Sequence, residues 1–283
     1  MWAALRVLSY SFESIINKRL LNKNNVIYYL ANKYWLGLPF LAIIFFLDKT
    51  ILNKEGIWLL VLICFLLSLS QLLSFNGLAR IKASTNVVVK QSKLLIMLFV
   101  SLILGQVTSF LTVISVIIVF IGGVLITKKE MDESINKKDT LIGILLALFV
   151  PIISIAISFL LQYAFSKNYF SAGIYSIFSI ISIVILFNII YYTNFYNQKQ
   201  AKNSFNKKEL GLLQLTGILS IGVNIANALS IKYIGVFLTE IISATAPILV
   251  LLFAIITKQE KLTTIRAVGV VIAVLGTILA LVF

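Results

Sequence analysis

The sequence has no histidine, and Cys64 is its single cysteine among 283 residues. Structural zinc sites take four Cys or His ligands, while haem and iron–sulfur cofactors need axial His, Met or Cys or several thiolates. None of these sites can be assembled from this composition, so we expect no metal site and no cofactor. A single cysteine also cannot close a disulfide within the chain.

Acidic residues are scarce as well, because 10 Asp and Glu stand against 24 Lys and Arg and leave a net charge of +14. Nucleic-acid binders carry such a charge, but here the basic residues lie mainly between apolar segments, where lysines normally meet lipid headgroups. We therefore expect no nucleic-acid partner. The sequence also lacks the G-x-x-x-x-G-K-[ST] motif, so it has no P-loop with which to bind ATP.

Charged residues make up only 12% of the chain, whereas hydrophobic residues make up 60%. Soluble domains average about 25% charged and roughly 45–50% apolar residues, so this composition indicates an all-α integral membrane protein. A helix of about 20 apolar residues crosses a bilayer. Hydropathy predicts ten such helices, at about 1–21, 25–47, 56–79, 83–104, 107–127, 140–166, 169–195, 209–231, 235–256 and 262–283.

The predicted helices form two groups. We predict a first five-helix repeat over 1–127, a charged linker over 128–139 (KKEMDESINKKD) and a second five-helix repeat over 140–283. Gln106 ends an apolar helix as LILGQVT, and Glu260, 154 positions later, ends another as IITKQEKLT. Because five is odd, the second repeat must enter the membrane inverted, as in many secondary transporters whose substrate site lies near the midplane.

The second half contains four features in order: SATAP at 243–247, EKLT at 260–263, Gly269 and Gly276. This succession resembles the EamA-type drug/metabolite transporter superfamily, and the resemblance covers essentially the whole chain as two copies. The first copy departs from it, because Gln106 replaces the corner glutamate and Lys93 stands where Pro247 stands. The resemblance implies a ten-helix carrier of small metabolites, often an exporter, that works by alternating access without ATP.

Few charged residues fall inside the predicted helices, since a charge at the helix centre costs about 2.5–3.5 kcal/mol on insertion scales. Each one must therefore face protein or a water-filled cavity. Lys90 and Lys93 share a helical face with Asn86 on the predicted fourth helix, which contains no acid. We predict that this face holds the anionic end of a solute. Ion pairing with a glutamate of another helix is the alternative.

The other interior charges differ in position. Glu13 lies in the predicted first helix, where it resembles the acid of the small multidrug exporters of the same superfamily. We predict that Glu13 faces the cavity and couples transport to protons by titrating. We interpret Glu240 and Lys33 as structural charges, and Arg6, near a helix start, as a topological anchor.

Polar side chains also recur at helical spacing on six of the predicted helices, which describes a wet central cavity. The predicted substrate-binding residues are Asn86, Lys90, Lys93, Glu13, Gln71, Ser154, Ser158, Asn224 and Asn227. The fifth and tenth helices carry small residues instead, among them Gly122 and Gly269. Small residues let membrane helices approach closely, so we expect a monomer, or a homodimer through these two helices.

The interior charges sum to a positive value, which favours a solute with a carboxylate or phosphate. Our first hypothesis is a secondary transporter for a small polar metabolite, with amino acids first and sugar-phosphate or nucleotide-sugar anions next. A membrane-embedded enzyme acting on lipid-linked substrates is the second, and it ranks well below because no histidine or acidic cluster could supply acid–base chemistry. A structural or lipid-moving subunit is the third. We therefore expect no enzymatic activity.

The orientation in the membrane has two conflicting indications. Lys and Arg concentrate on the odd-numbered connections, so the positive-inside rule places both termini outside. The family resemblance implies termini in the cytoplasm. We favour the charge bias for a bacterial inner membrane, where the rule is strongest, and that membrane is the expected location.

Overall fold

A computed structural model describes residues 1–21, 26–47, 52, 54–81, 83–90, 92–103, 109–133, 137–193, 205–259 and 261–282. Within these ranges every regular element is a helix, as a bilayer demands of backbone that has no water to bond. The α-helices are α1 (Trp2–Leu21), α2 (Val26–Asn32), α3 (Leu38–Leu47), α4 (Lys54–Arg80), α5 (Ala83–Lys90), α6 (Ser92–Ile103), α7 (Phe110–Glu133), α8 (Lys137–Ser166), α9 (Ala172–Tyr192), α10 (Lys207–Ser243), α11 (Ala246–Ile256) and α12 (Thr264–Val282).

Among the described residues, four helices are long and apolar enough to cross a membrane by themselves. They are Lys54–Arg80, Lys138–Ser166, Ala172–Tyr192 and Lys207–Ser243. Shorter apolar helices occupy Ser92–Ile103, Phe110–Ile126, Ala246–Ile256 and Thr264–Ala280. The described part of the chain is therefore all-helical, as an integral membrane protein requires, and the predicted second and ninth spans are each divided into shorter helices.

One of these divisions lies in the second half, where α10 ends at Ser243 and α11 begins at Ala246. Pro247 lies in the first turn of α11, where its missing N–H would have had no partner in the helix. In the first half residue 91, between α5 and α6, lies outside the described residues, so the continuous fourth helix over 83–104 stays a prediction.

The chain departs from the predicted helix boundaries at two further places. The predicted connection before 235 is a kink inside α10 at Gly235, whose φ of +76° suits glycine because it has no Cβ. The predicted second helix instead consists of α2, a 3₁₀ turn (Trp35–Gly37) and α3. Gly217 of α10 packs so closely on this turn that a Cβ there would collide with the carbonyl oxygen of Lys33.

The predicted linker is largely helical. α7 continues to Glu133 and α8 begins at Lys137, so only 134–136 of this segment lie outside the described residues. Lys, Glu and Met are good helix formers, which favours helix even where the segment is polar. Gln106 and Glu260, the two corner residues of the repeat, also lie outside the described residues.

The most extensive helix pairings join a helix of one half to a helix of the other half. α1 of the first half packs along α10 of the second, and α4 of the first packs along α8 of the second. α7 packs along α12 through glycines: a Cβ at Gly122 would lie 2.5 Å from the backbone nitrogen of Ala273. The glycine faces of the predicted fifth and tenth helices are thus covered within one chain. The homodimer through these helices remains a prediction.

Candidate functional site

A cavity of about 200 Å³ lies between the two halves. Its walls come from α1, α4, α5 and α6 of the first half, and from α8, α9, α10 and α11 of the second. The cavity is lined by all nine predicted substrate-binding residues: Asn86, Lys90, Lys93, Glu13, Gln71, Ser154, Ser158, Asn224 and Asn227. The structure brings these residues together, and their role in binding a solute remains a prediction.

One face of α1 organises the polar side of this cavity. Arg6, Tyr10, Glu13 and Asn17 follow each other at intervals of four, three and four residues, which places them in one row. Each contacts a different partner from another helix. Arg6 and Glu13 are seven residues apart, or about 10 Å along the helix axis at 1.5 Å per residue. They mark two separate polar clusters at different depths.

The Glu13 cluster comprises Glu13, Asn17, Lys33 and Ser220. Three donors converge on Oε1 of Glu13: Nζ of Lys33 at 2.7 Å, Oγ of Ser220 at 2.6 Å and Nδ2 of Asn17 at 3.0 Å. Asn17 in turn accepts a hydrogen bond from the hydroxyl of Tyr29. Glu13 is buried and also lines the cavity. The cluster thus compensates a buried carboxylate with one cation and two neutral donors.

Aromatic rings surround the cation of this cluster. Lys33 is completely buried, and its Nζ lies 4.7 Å from the ring centroid of Phe75, 5.1 Å from that of Tyr34 and 5.8 Å from that of Tyr29. A cation within about 6 Å of an aromatic face is attracted by the quadrupole of the ring. Lys33 is not part of the cavity wall, whereas its partner Glu13 and the ring of Phe75 are, so these two residues connect this cage to the cavity.

The Glu240 cluster comprises Arg6, Lys93, Ser158, Glu240 and Ser243. Nζ of Lys93 donates to Oε1 of Glu240 at 2.7 Å and to Oγ of Ser158 at 3.1 Å. A guanidinium nitrogen of Arg6 lies 3.5 Å from the same Oε1 and donates to Oγ of Ser243 at 2.7 Å. Two cations therefore share one carboxylate, and Lys93 and Glu240 are both buried.

Lys90 has a different environment from Lys93. Its Nζ donates to Oγ of Ser74 at 2.6 Å and to the hydroxyl of Tyr10 at 3.3 Å. Among the residues that the structure describes, Lys90 has no carboxylate partner within 4 Å. Lys90 and Lys93 both line the cavity, and Lys93 forms the ion pair with a glutamate of another helix that was the alternative to solute binding.

The amides and hydroxyls of the cavity offer neutral hydrogen bonds. Asn86 is 1% exposed, and its Oδ1 accepts no hydrogen bond from the described part of the chain; the same holds for Oδ1 of Asn227. An unpaired buried carbonyl costs about 1–3 kcal/mol, so both oxygens gain from a donor in the cavity. Ser158 already accepts a bond from Lys93 and donates to the backbone of Ser154.

Some residues that line the cavity were given another role from the sequence, or were not selected as site residues. Arg6, interpreted as a topological anchor, lines the cavity and contacts Glu240. Tyr10, Ser74 and Ser220 also line it and were not selected. A signal existed, because Tyr10 lies between Arg6 and Glu13 at helical spacing and Ser74 follows Gln71 by three residues. Tyrosine and serine are common in membrane helices, so this spacing by itself does not single them out.

Comparisons with known proteins agree with this architecture. The sequence profile of the EamA-like transporter family matches residues 1–128 and 135–282, one match in each half. No curated protein matches the chain. A solved crystal structure superposes with a TM-score of 0.69 at 14% sequence identity and covers 98% of both chains. At that identity the similarity shows the fold alone.

Proposed function

The chain belongs to the EamA-like transporter family, and on this premise we propose that it is a secondary transporter for a small polar metabolite that carries an anionic group. Transport proceeds by alternating access, with two inverted five-helix repeats that open the cavity to one side of the membrane at a time. An amino acid is the first candidate for the solute, and other organic anions follow. Export is the direction that the family resemblance favours.

The observation that carries this proposal is the environment of Lys90. The other charges of the cavity wall each have a partner of opposite charge: Glu13 pairs with Lys33, and Lys93 and Arg6 share Glu240. Lys90 bonds only neutral hydroxyls among the described residues. A half-buried ammonium without a counter-ion between membrane helices is costly, and a carboxylate or phosphate of the solute would supply the missing charge.

The cavity also favours a small solute. Pockets for drug-sized ligands measure roughly 300–1,000 Å³, whereas this one measures about 200 Å³. Asn86 and Asn227 present carbonyl oxygens that accept hydrogen bonds, so a solute with N–H or O–H groups beside its anionic end fits the wall. Both features favour a compact metabolite over a nucleotide sugar.

Purified protein in liposomes tests the proposal. We expect counterflow of at least one solute from a panel of amino acids and small organic anions, and no counterflow in protein-free liposomes. Lys90→Met should reduce this uptake at least tenfold without a change in melting temperature. The matched control is Lys232→Met, because Lys232 is an exposed lysine on α10 outside the cavity, and it should transport normally.

Two further measurements address the alternatives. Fluorescent-lipid scrambling in the same liposomes without any solute counterflow would favour a lipid-moving subunit and contradict the proposal. Glu13→Gln tests the proton coupling that we propose for Glu13. An unchanged rate and an unchanged pH dependence of uptake would exclude coupling through this residue.

A further inference from the structure

Lys33 is the one charged residue of the Glu13 cluster that the proposed transport does not use. It lies in the turn after α2, is completely buried and is absent from the cavity wall. Its partner Glu13, in contrast, lies on the wall. Glu13 therefore faces the cavity, and Lys33 pairs with it from the side that faces away from the cavity.

The surroundings of this cation are those of an ammonium-binding site. One carboxylate oxygen lies 2.7 Å from Nζ, and the rings of Phe75, Tyr34 and Tyr29 lie within 6 Å of it. Proteins recognise ligand ammonium groups with this combination of aromatic faces and a carboxylate. Here the ammonium belongs to the protein itself.

We propose that Lys33 is a tethered cation that occupies an ammonium-binding site formed by Glu13, Phe75, Tyr34 and Tyr29, and that it thereby excludes positively charged solutes from the cavity. Lys33 is then a specificity-determining residue that never touches the solute. The proposal rests on the proposed function, because it concerns the charge of the solute that the same cavity accepts.

The bonds of Glu13 support this role. All three donors of the Glu13 cluster are bound at Oε1, and the other carboxylate oxygen accepts no hydrogen bond from the described residues. Without Lys33, a buried carboxylate would face the cavity with only the neutral donors Asn17 and Ser220. A free carboxylate next to aromatic rings attracts cations, so loss of the tethered charge should create a cation site that opens into the cavity.

The test uses two probes of similar size and opposite charge, propylammonium and propionate. Lys33→Met keeps most of the side-chain volume and removes the charge. We expect wild-type protein to show no saturable binding of propylammonium, and Lys33→Met to bind it at least tenfold more tightly, as measured by equilibrium dialysis and by the rise in melting temperature. The double variant Glu13→Gln, Lys33→Met should lose this binding, and Lys33→Arg, which keeps a tethered cation, should not gain it.

A purely structural ion pair gives a different result. Folded Lys33→Met that binds propylammonium no better than wild type would overturn the proposal, and so would equal binding by the double variant. If Lys33→Met is recovered folded only when propylammonium is present during purification, the amine neutralises Glu13 from the cavity side and the proposal stands. Failure to recover it even with the amine contradicts the proposal.

The propionate measurements separate this inference from the proposed function. Propionate binding should depend on Lys90 and be retained in Lys33→Arg. If propionate binding is independent of Lys90 while Lys33→Met gains propylammonium, the proposed anion site is wrong and the tethered cation is correct. The reverse pattern leaves the anion site intact and removes the role of Lys33.

Discussion

The Glu13 cluster and the Glu240 cluster both contain a lysine–glutamate ion pair, but the two pairs differ in which halves of the chain supply their charges. Each contains a lysine whose Nζ lies 2.7 Å from a buried carboxylate oxygen. In the Glu13 cluster both charges belong to the first half of the chain, and the second half adds only the neutral hydroxyl of Ser220. In the Glu240 cluster the two cations come from the first half and the acid from the second.

This difference bears on the alternating access that we propose. If the halves move relative to each other, an ion pair inside one half persists, whereas an ion pair between the halves must lengthen or exchange partners. The Glu13 cluster therefore sets the charge of one part of the cavity wall. The Glu240 cluster holds the halves together in the conformation seen here. Four sets of substitutions test this distinction, in order of decreasing expected effect.

Glu240→Gln should have the largest effect on stability. It leaves the buried Lys93 and the half-buried Arg6 without their shared counter-charge, and removing one partner of a buried ion pair costs about 3–5 kcal/mol. Thermal unfolding in detergent measures the loss. Adding Lys93→Met to Glu240→Gln should restore part of the stability because one of the two cations is gone. A Glu240→Gln variant as stable as wild type would show that the cluster does not hold the halves together.

Lys33→Met should cost more stability than Lys93→Met. Lys33 is the only cation near Glu13 among the described residues, whereas Glu240 keeps Arg6 at 3.5 Å when Lys93 is removed. We expect about 3 kcal/mol for Lys33→Met and about 1–2 kcal/mol for Lys93→Met. Chemical unfolding of both variants in the same detergent provides the comparison. The opposite order would contradict the view that the two clusters differ in their number of cations.

Gly217→Ala should disturb the Glu13 cluster through the backbone. The added Cβ would collide with the carbonyl oxygen of Lys33, and overpacking of this kind costs about 1–3 kcal/mol. Gly222→Ala on the same helix is the matched control, because a Cβ there meets nothing within 4 Å. It should be neutral or stabilise the helix by about 0.5–1 kcal/mol. Melting temperatures that shift equally in both variants would show that the contact with the Lys33 turn is unimportant.

The smallest effects should come from the neutral partners. Tyr29→Phe removes the hydrogen bonds to Asn17 and Thr216 but keeps the ring near Lys33, and Ser158→Ala removes one hydrogen bond from Lys93. Each should cost about 1 kcal/mol. Solute uptake by Ser158→Ala should change more than that by Tyr29→Phe, because only Ser158 lines the cavity. Equal loss of uptake would remove the functional distinction between the clusters.

The fold class could be predicted because composition and hydropathy are read directly from the sequence and need no tertiary contact. Apolar runs and scarce charge predict membrane helices, and the 154-residue offset together with the tail of the second half predicts the family that the profile match confirms. The break after Ser243 was beyond this reasoning, because a hydropathy window averages over a break of two residues and reports a single span.

The candidate site was predicted as a set of residues but not as a set of pairs. The nine selected residues line one cavity, since an interior polar group in a membrane helix must face protein or water. A glutamate of another helix was the alternative partner for the lysines, but the sequence could not decide that Lys93 and Arg6 both reach Glu240, which lies 147 and 234 positions from them. No local pattern connects positions so far apart.

The sequence by itself therefore determined that the chain enters a membrane as helices, that it consists of two related halves, and that its few interior charges gather around a polar cavity. Only the tertiary structure decided which charges neutralise each other. That outcome depends on how α1, α5, α6 and α10 pack, because an ion pair forms where two side chains come within about 4 Å. The same packing left Lys90 with neutral partners and enclosed Lys33 among aromatic rings.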